Sequence, residues 1–240
     1  MTTFRSRIIQ CPHCGNLMST YELTSYFVHS SVAYSDGKVD CNPPRMEDKK
    51  ILICSDCNKE FWRDDAFLER ENLNISYNEL PEAKDFIDLT YAFDNDYTSK
   101  LATYFSKLLE RGFADTVKKE VYLRIKLWQL LNNDIRSDSD NFIKNLGKYV
   151  LGTLLKKTHS KRDSNNSNHF FKSNLKRLIS IYKPENDEMN LMLAEMHREL
   201  GDFRQALLIL KEIENIDNKV AYKKIRAAAK RKKIKVLKLN

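Results

Sequence analysis

Glycine and proline are both scarce in this sequence. The chain has six glycines and five prolines among 240 residues, and the glycines are scattered singly. The Gly-rich loop that cradles a nucleotide phosphate is therefore absent, as are the Gly-x-Ser-x-Gly elbow and the His-Glu-x-x-His metal pair. We expect a protein that is not an enzyme and that has no small-molecule substrate.

Long apolar runs are also missing. No stretch approaches the roughly 18–20 apolar residues that are needed to cross a bilayer. The first ten residues contain Arg5 and Arg7, but only Ile8 and Ile9 follow as an apolar stretch, which is too short for a signal peptide. We therefore expect a cytoplasmic protein without a membrane partner.

Cysteine is rare but patterned. The chain has five cysteines, and without a secretion signal they do not predict a disulfide framework. Four of them form two Cys-x-x-Cys pairs, Cys11 with Cys14 and Cys54 with Cys57. Each two-residue gap lets the backbone fold back so that both thiolates face one ion, and two pairs complete a tetrahedral four-cysteine zinc site. Because four thiolates leave no open position for water or substrate, the zinc is expected to be structural.

Other interpretations of the cysteines remain open. Two redox-active pairs would each need a thioredoxin-like βαβ setting, which the sequence does not show, and iron is a weaker alternative to zinc. Cys41 is either a packed thiol or an accessory ligand. His13 is expected to face solvent, because the neighbouring cysteines already satisfy the metal.

Residues 1–75 have the composition of a small β module. Short β-like runs at 26–28 and 51–53 alternate with turn formers at 35–38 and 42–44. We predict a zinc-ribbon module over this segment. Its stability is expected to depend on the metal, since such sites contribute about 10–16 kcal/mol.

The chain from about residue 80 has helical periodicity. Apolar residues recur there at intervals of three and four, and Gly112 and Gly201 stand at expected helix ends. We predict an all-α domain over residues 76–218, so that the fold class is α+β. Residues 156–168 contain no large apolar side chain, which predicts a mobile loop.

One helix pair has the spacings of a tetratricopeptide repeat. Gly201 provides the tight turn, Ala206 is small where the helices cross, and Phe203 and Leu210 are large on the packing face. Since one repeat cannot bury its own face, the preceding helices are expected to serve as degenerate repeats or as a cap. A generic antiparallel helix pair is the alternative.

The positive charge is concentrated at the C-terminus. Residues 219–240 hold ten Lys or Arg and no Asp or Glu, and because the whole chain carries +8 the rest sums to −2 (8 minus 10). We interpret this segment as a basic helix or tail. The expected function is a protein-interaction scaffold that binds a protein or peptide partner. Nucleic-acid binding through the ribbon and the basic tail is the alternative.

The whole chain resembles a bacterial family of uncharacterised function that joins an N-terminal four-cysteine zinc ribbon to tetratricopeptide-like helices. The resemblance covers nearly the full length. It is carried by the first knuckle with Gly15, the segment 40–44, the β-run into the second knuckle at Cys54, and the segments 60–66, 122–128 and 195–210. Departures are the missing Gly after Cys57 and the Asn- and Ser-rich segment 160–168. The family implies the architecture and draws attention to Cys41, but it brings no established activity.

Overall fold

The computed structural model describes residues 3–42, 50–66, 79–84, 97–136, 163–214 and 219–239. Within these ranges the chain is α+β, with short antiparallel strands followed by helices. It divides into two compact units, a β unit of Met1–Ser31 with Asp40–Tyr97 and a helical unit of Val32–Val39 with Thr98–Asn240. This division is more interleaved than the sequence-based boundary at residue 75.

The described strands pair as three two-stranded sheets. Strands β1 (Thr3–Gln10) and β2 (Leu17–Ser25) pair antiparallel, as do β5 (Ile51–Ile53) and β6 (Glu60–Trp62); between them in the chain, β3 (Ser30–Ala33) pairs with β4 (Val39–Asn42). A 3₁₀ turn at Arg63–Asp65 follows β6. In the first and the last of these hairpins, the turn between the strands is a Cys-x-x-Cys pair.

An extended segment at 81–84 joins the two cysteine hairpins. On the β2 side, Ser19 N donates to the Pro81 carbonyl and Ala83 N donates to the Ser19 carbonyl, while on the β5 side Lys84 and Ile53 exchange two main-chain hydrogen bonds. The sequence-based expectation of helical structure from about Leu80 is therefore wrong at this point. These residues add strand-like pairing to both hairpins, which a local propensity argument cannot detect.

Within the described ranges, the helical unit contains helices α1 to α7. Their bounds are α1 Tyr97–Glu110, α2 Val117–Leu131, α3 Asn133–Arg136, α4 Asp163–Ile181, α5 Asp187–Leu200, α6 Phe203–Glu212 and α7 Lys219–Lys230. The helix expected around 142–154 lies outside the described residues. None of the described helices has the length and apolar character needed to span a membrane.

Helix α4 begins inside the segment for which the sequence predicts a mobile loop. Residues 156–162 lie outside the described ranges, but residues 163–168 are helical. The apolar face further along α4, with Leu175 and Leu178 fully buried, anchors the helix. Once a helix is nucleated, each further residue adds a hydrogen bond, so a polar segment can extend it.

Two predicted helix ends are confirmed. Gly112 and Gly201 both adopt left-handed backbone, with φ of +68° and +88°. After α5, the N–H groups of Gly201 and Asp202 donate to the carbonyls of Arg198 and His197, and α1 ends with the same pattern. This is the Schellman arrangement, in which glycine avoids the strain that a Cβ would cause.

Helix α5 is central to the helical unit, because it contacts α4, α6 and α7. The turn from α5 to α6 is short, and Asp202 caps α6 by accepting a hydrogen bond from the Gln205 N–H at 3.3 Å. Ala194, Ala206 and Leu210 are fully buried in this helical hairpin. The helix pair predicted from the sequence is thus present, while its membership of a repeat family stays a prediction.

The segment Val32–Val39 belongs to the helical unit and places Ser35 and Asp36 in its interior. Asp36 is fully buried, and its carboxylate accepts hydrogen bonds from Asn132 Nδ2 at 3.0 Å and from the Arg136 guanidinium. Its main-chain carbonyl accepts a third from Gln129 Nε2 at 3.1 Å. A turn that lies between the two cysteine pairs in sequence therefore belongs, by its contacts, to the helices.

A second buried carboxylate lies beside this turn. Glu199 accepts hydrogen bonds from Trp128 Nε1 at 2.7 Å and from Asn132 Nδ2 at 3.1 Å. Burial, together with the negative charges of Glu195 and Asp36, raises the pKa of Glu199 well above its ordinary value. The folded chain therefore favours the protonated form of Glu199 more than the unfolded chain does.

A buried arginine ties the C-terminal segment to α5. Arg198 Nε donates to Glu195 Oε2 at 2.6 Å, and neither side chain is accessible to solvent. The same guanidinium donates to the main-chain carbonyl of Lys233 and, at 2.9 Å, to that of Lys235. Both the charge and the hydrogen-bonding capacity of this buried group are thus satisfied.

The last residues fold with the helical unit instead of forming a separate tail. Leu239 N donates to the Ala33 carbonyl at 2.8 Å, and Ser35 N donates to the Leu237 carbonyl at 2.9 Å. Leu239 itself is buried. Residues 219–230 thus form a basic helix, as the sequence predicts, and the described residues after it pack on the helical unit.

Candidate metal centre

Each Cys-x-x-Cys pair lies at the turn of a β-hairpin. Strand β1 runs into Cys11 and β2 leaves after the first pair, while β5 runs into Cys54 and β6 leaves after the second. The antiparallel pairs next to each knuckle, Gln10 with Leu17 and Ile53 with Glu60, hold the ends of the knuckles in place. The sequence-predicted ligands therefore project from two rigid turns.

The two knuckles have the same main-chain hydrogen bonds. Cys11 N donates to the Asn16 carbonyl and Gly15 N to the Cys11 carbonyl, both at 2.9 Å. In the second knuckle, Cys54 N donates to the Lys59 carbonyl at 3.0 Å and Asn58 N to the Cys54 carbonyl at 3.1 Å. Residues at equivalent positions make equivalent bonds, so the two turns have the same local geometry.

Asn58 takes the position that Gly15 occupies in the first knuckle. Its φ is +54°, against +77° for Gly15. Asparagine tolerates left-handed backbone better than most residues, because its short polar side chain can hydrogen-bond locally. The missing glycine after Cys57 therefore does not prevent the second knuckle from closing.

The four sulfur atoms converge. Cys11 Sγ lies 3.8 Å from Cys57 Sγ, and Cys14 Sγ lies 3.6 Å from Cys54 Sγ. All four lie within 4.8 Å of one another. A tetrahedral ion with metal–sulfur distances of about 2.3 Å places its ligands about 3.8 Å apart. The cysteines thus fit a four-thiolate metal site and are not paired as disulfides.

The site lies against the core of the β unit. Cys11 and Cys54 are buried in a cluster with apolar neighbours, and Cys14 is exposed. The other buried members of that cluster are Ile9, Met18, Leu52, Phe61, Ala66 and Ala83. A core this small contributes modestly to folding, so a metal would supply a large part of the unit's stability.

The surroundings of the thiols differ in their effect on proton affinity. The Asn16 backbone N–H lowers the pKa of Cys14, but desolvation and hydrogen bonds with the other three thiols together raise that pKa to about 12. Desolvation raises the pKa of Cys54, but backbone N–H groups of Cys57 and Asp56 and two thiols lower it to about 7. Four close thiolates repel one another, and a divalent cation replacing their protons would remove that repulsion.

His13 and Cys41 both lie outside the cluster of converging sulfurs. His13 is exposed, and its Nε2 lies 3.0 Å from the Glu60 carbonyl, within hydrogen-bond distance. Cys41 lies on β4 as a partly buried free thiol and is not among the four converging residues. Elsewhere in the described ranges, no second group of three or more cysteine, histidine or acidic side chains converges in this way.

Comparison of the chain with protein families, with curated proteins and with solved structures finds no match. The bacterial family suggested by the motifs stays a prediction. The assignment of the metal site therefore rests on the geometry of the four cysteines.

Sequence reasoning missed the charged interior of the helical unit. Part of this charged interior is visible in the sequence of α5. There Glu195, Arg198 and Glu199 stand three and four residues apart among apolar residues, so they lie on one side of the helix. No comparable signal marks Asp36, because Ser35–Lys38 looks like an ordinary exposed turn. Its burial depends on side chains about a hundred residues away.

Proposed function

We propose that this chain is a non-enzymatic scaffold protein. In it, a structural zinc ion stabilises the β unit, and the helical unit binds a protein or peptide partner. The single observation that carries the metal half is the convergence of four sulfurs at the spacing of a tetrahedral thiolate site. Zinc is favoured over iron because the second knuckle lacks the proline and glycine that rubredoxin-like sites prefer.

A structural role for the zinc follows from its ligand set. Four thiolates complete the tetrahedron, so a bound ion would have no position for a water or a substrate. Catalytic zinc sites instead keep one position open. The ion would hold two hairpins together that otherwise share only a small core.

The partner-binding half is supported by how successive helices pack. Helices α5, α6 and α7 each contact the other two, and α4 contacts α5. In helical-repeat proteins, stacked helix pairs of this kind bury a continuous core and leave an extended surface for partners. The helix pair of α5 and α6 has the tetratricopeptide spacings on which this part of the proposal rests.

Elemental analysis of purified protein tests the metal half. We expect one zinc per chain, and we expect Cys54→Ser to remove most of it. Cys41→Ser is the matched control, because Cys41 is also a thiol of the same module but lies outside the cluster. Loss of zinc from the Cys41 variant and not from the Cys54 variant, or no metal in freshly reduced wild-type protein, would contradict the proposed site.

The same variants separate the two halves of the proposal. The Cys54→Ser protein should keep the helical signal in circular dichroism, since the helices have their own core. A partner captured by tagged wild-type protein should still be captured by this variant. Loss of that partner together with the metal would assign binding to the β unit and overturn the scaffold assignment.

A further inference from the structure

The basic C-terminal segment presents an ordered row of cations. In α7 the buried face consists of Ala221, Ile225, Ala228 and Ala229. Five cations occupy exposed positions of the same helix, and one of them, Lys224, donates to the main-chain carbonyls of Lys238 and Leu239. The other four are Lys219, Lys223, Arg226 and Lys230. Their intervals of four, three and four residues place them on one side of the helix.

The row is fixed to a rigid support. The buried face of α7 packs with α5 and α6, and Tyr222 donates a hydrogen bond to the Leu210 carbonyl at 3.0 Å. The segment after α7 is anchored by Arg198 at the carbonyls of Lys233 and Lys235, whose side chains are exposed. Little conformational entropy would therefore be lost when an anion binds.

The described residues of the protein do not neutralise the cations of this row. In the part of the chain that the structure describes, none of the four forms an ion pair with a carboxylate. Cations elsewhere on the helical unit do have such partners: Arg124 and Arg177 both bind Glu120, and Lys119 binds Asp115. An uncompensated row of this kind favours a polyanionic partner.

We propose that the row formed by Lys219, Lys223, Arg226 and Lys230 binds the phosphate backbone of nucleic acid. At 1.5 Å per residue the row is about 16 Å long, which spans about five phosphates of one strand at 3.4 Å each. Among the described residues of α7 no aromatic side chain is exposed, so binding is independent of base sequence. The site lies in the helical unit and does not rest on the proposed zinc or on the scaffold assignment.

An anionic membrane is a poorer fit to this surface. A helix that binds at a lipid surface inserts an apolar face beside its basic face. The apolar residues of α7 are instead buried in the protein core, and among its exposed residues Val220 is the one large apolar side chain. The row can therefore offer charge but little apolar area for insertion.

Fluorescence anisotropy with full-length protein tests the proposal. The probes are labelled DNA and RNA duplexes of about 20 base pairs and arbitrary sequence, titrated between about 50 and 200 mM salt. Four phosphate contacts predict a slope of about −3.6 in log K against log salt, or about 150-fold weaker binding across that range. Replacing all four row residues with Gln should weaken binding at least tenfold and abolish most of the slope.

The matched control removes the same charge from other exposed helix and loop positions. It carries Gln at Lys118, Lys172, Lys176 and Lys183, all of which are exposed, and it should keep nearly wild-type binding. Circular dichroism should show both variants to be folded, since Gln is a good helix former.

Salt-sensitive binding that the row variant loses and the control keeps would support the proposal. The duplex that binds more tightly would show whether the row prefers DNA or RNA. Equal loss in both variants, or no binding, would overturn it. Tighter association of the protein with phosphatidylserine vesicles than with either duplex would also overturn it. Displacement of the bound duplex by polyglutamate of equal total charge would do the same.

Discussion

Trp128 donates its indole N–H to Glu199 at 2.7 Å in the interior of the helical unit. The acceptor is an acid whose pKa is raised well above its ordinary value, chiefly by burial. The helical unit therefore folds around a carboxyl group whose surroundings favour its protonated form, with Asn132 and Asp36 beside it.

Replacing Glu199 with Gln should stabilise the protein at neutral and alkaline pH. The folded chain holds a proton on Glu199 that the unfolded chain releases near pH 4.5, its ordinary pKa. The contribution of this group to the free energy of unfolding should thus be greatest below that pH and fall as the pH rises towards the folded-state pKa. Gln is neutral at every pH and can still accept from Trp128, so the variant should lack most of this dependence.

Urea unfolding at several pH values from mildly acidic to mildly alkaline measures this effect. Glu195→Gln is a suitable comparison, because it removes a carboxylate that pairs with Arg198. That change should destabilise the protein instead. A Glu199→Gln protein that is less stable than wild type at mildly alkaline pH would contradict the raised pKa of Glu199.

Arg198→Met should cost about 3–5 kcal/mol of stability, because it leaves Glu195 as an uncompensated buried charge. It also removes two hydrogen bonds to the C-terminal segment, so amide exchange at residues 237–239 should accelerate. The double variant Glu195→Gln with Arg198→Met should recover part of the loss. The exposed Arg204 provides the control, and its replacement by Met should have little effect.

Gly15→Ala should weaken metal binding about tenfold. The left-handed φ of +77° at Gly15 costs a residue with a Cβ about 1–2 kcal/mol, and a tenfold change corresponds to about 1.4 kcal/mol. Asn58→Gly is the matched change in the second knuckle, where φ is +54°. It should leave affinity unchanged or slightly improved. Competition with a chromophoric chelator measures both, and equal affinities for the two variants would count against the shared knuckle geometry.

Lys232→Gly should raise the free energy of unfolding by up to about 1 kcal/mol. Lys232 follows α7 in left-handed backbone, with φ of +53°. Its N–H and that of Lys233 donate to the carbonyls of Ala229 and Ala228, the arrangement in which glycine is usual. Lys233→Gly, one residue further, should not stabilise, because the gain depends on the positive φ. Thermal and urea unfolding compare the two.

Local sequence patterns were sufficient for several features. The two Cys-x-x-Cys pairs predict all four converging sulfurs, because the ligand types and the two-residue gap are local properties. The ends of α1 and α5 follow from Gly112 and Gly201, since a left-handed turn favours a residue without a Cβ. The hairpin of α5 and α6 follows from small and large residues at fixed intervals.

Features that depend on long-range contacts could not be predicted, because local sequence patterns do not show which distant residues come together. The turn at Asp36 looks exposed until Asn132 and Arg136 are placed beside it. The pairing of residues 81–84 with both cysteine hairpins depends on strands far away in sequence. The row of cations on α7 could be counted from composition, but its ordering needed the packed face and the anchor at Arg198.

Because residues 32–39 belong to the helical unit, the chain cannot be divided cleanly at one position. No single break in the sequence yields two complete units, because a fragment beginning at residue 98 would lack Asp36 and leave Asn132 and Arg136 without that acceptor. A fragment ending before residue 98 would carry the turn without its surroundings. A gene fusion made at one junction would therefore leave the helical unit incomplete, and we expect the β unit and the helical unit to be inherited together.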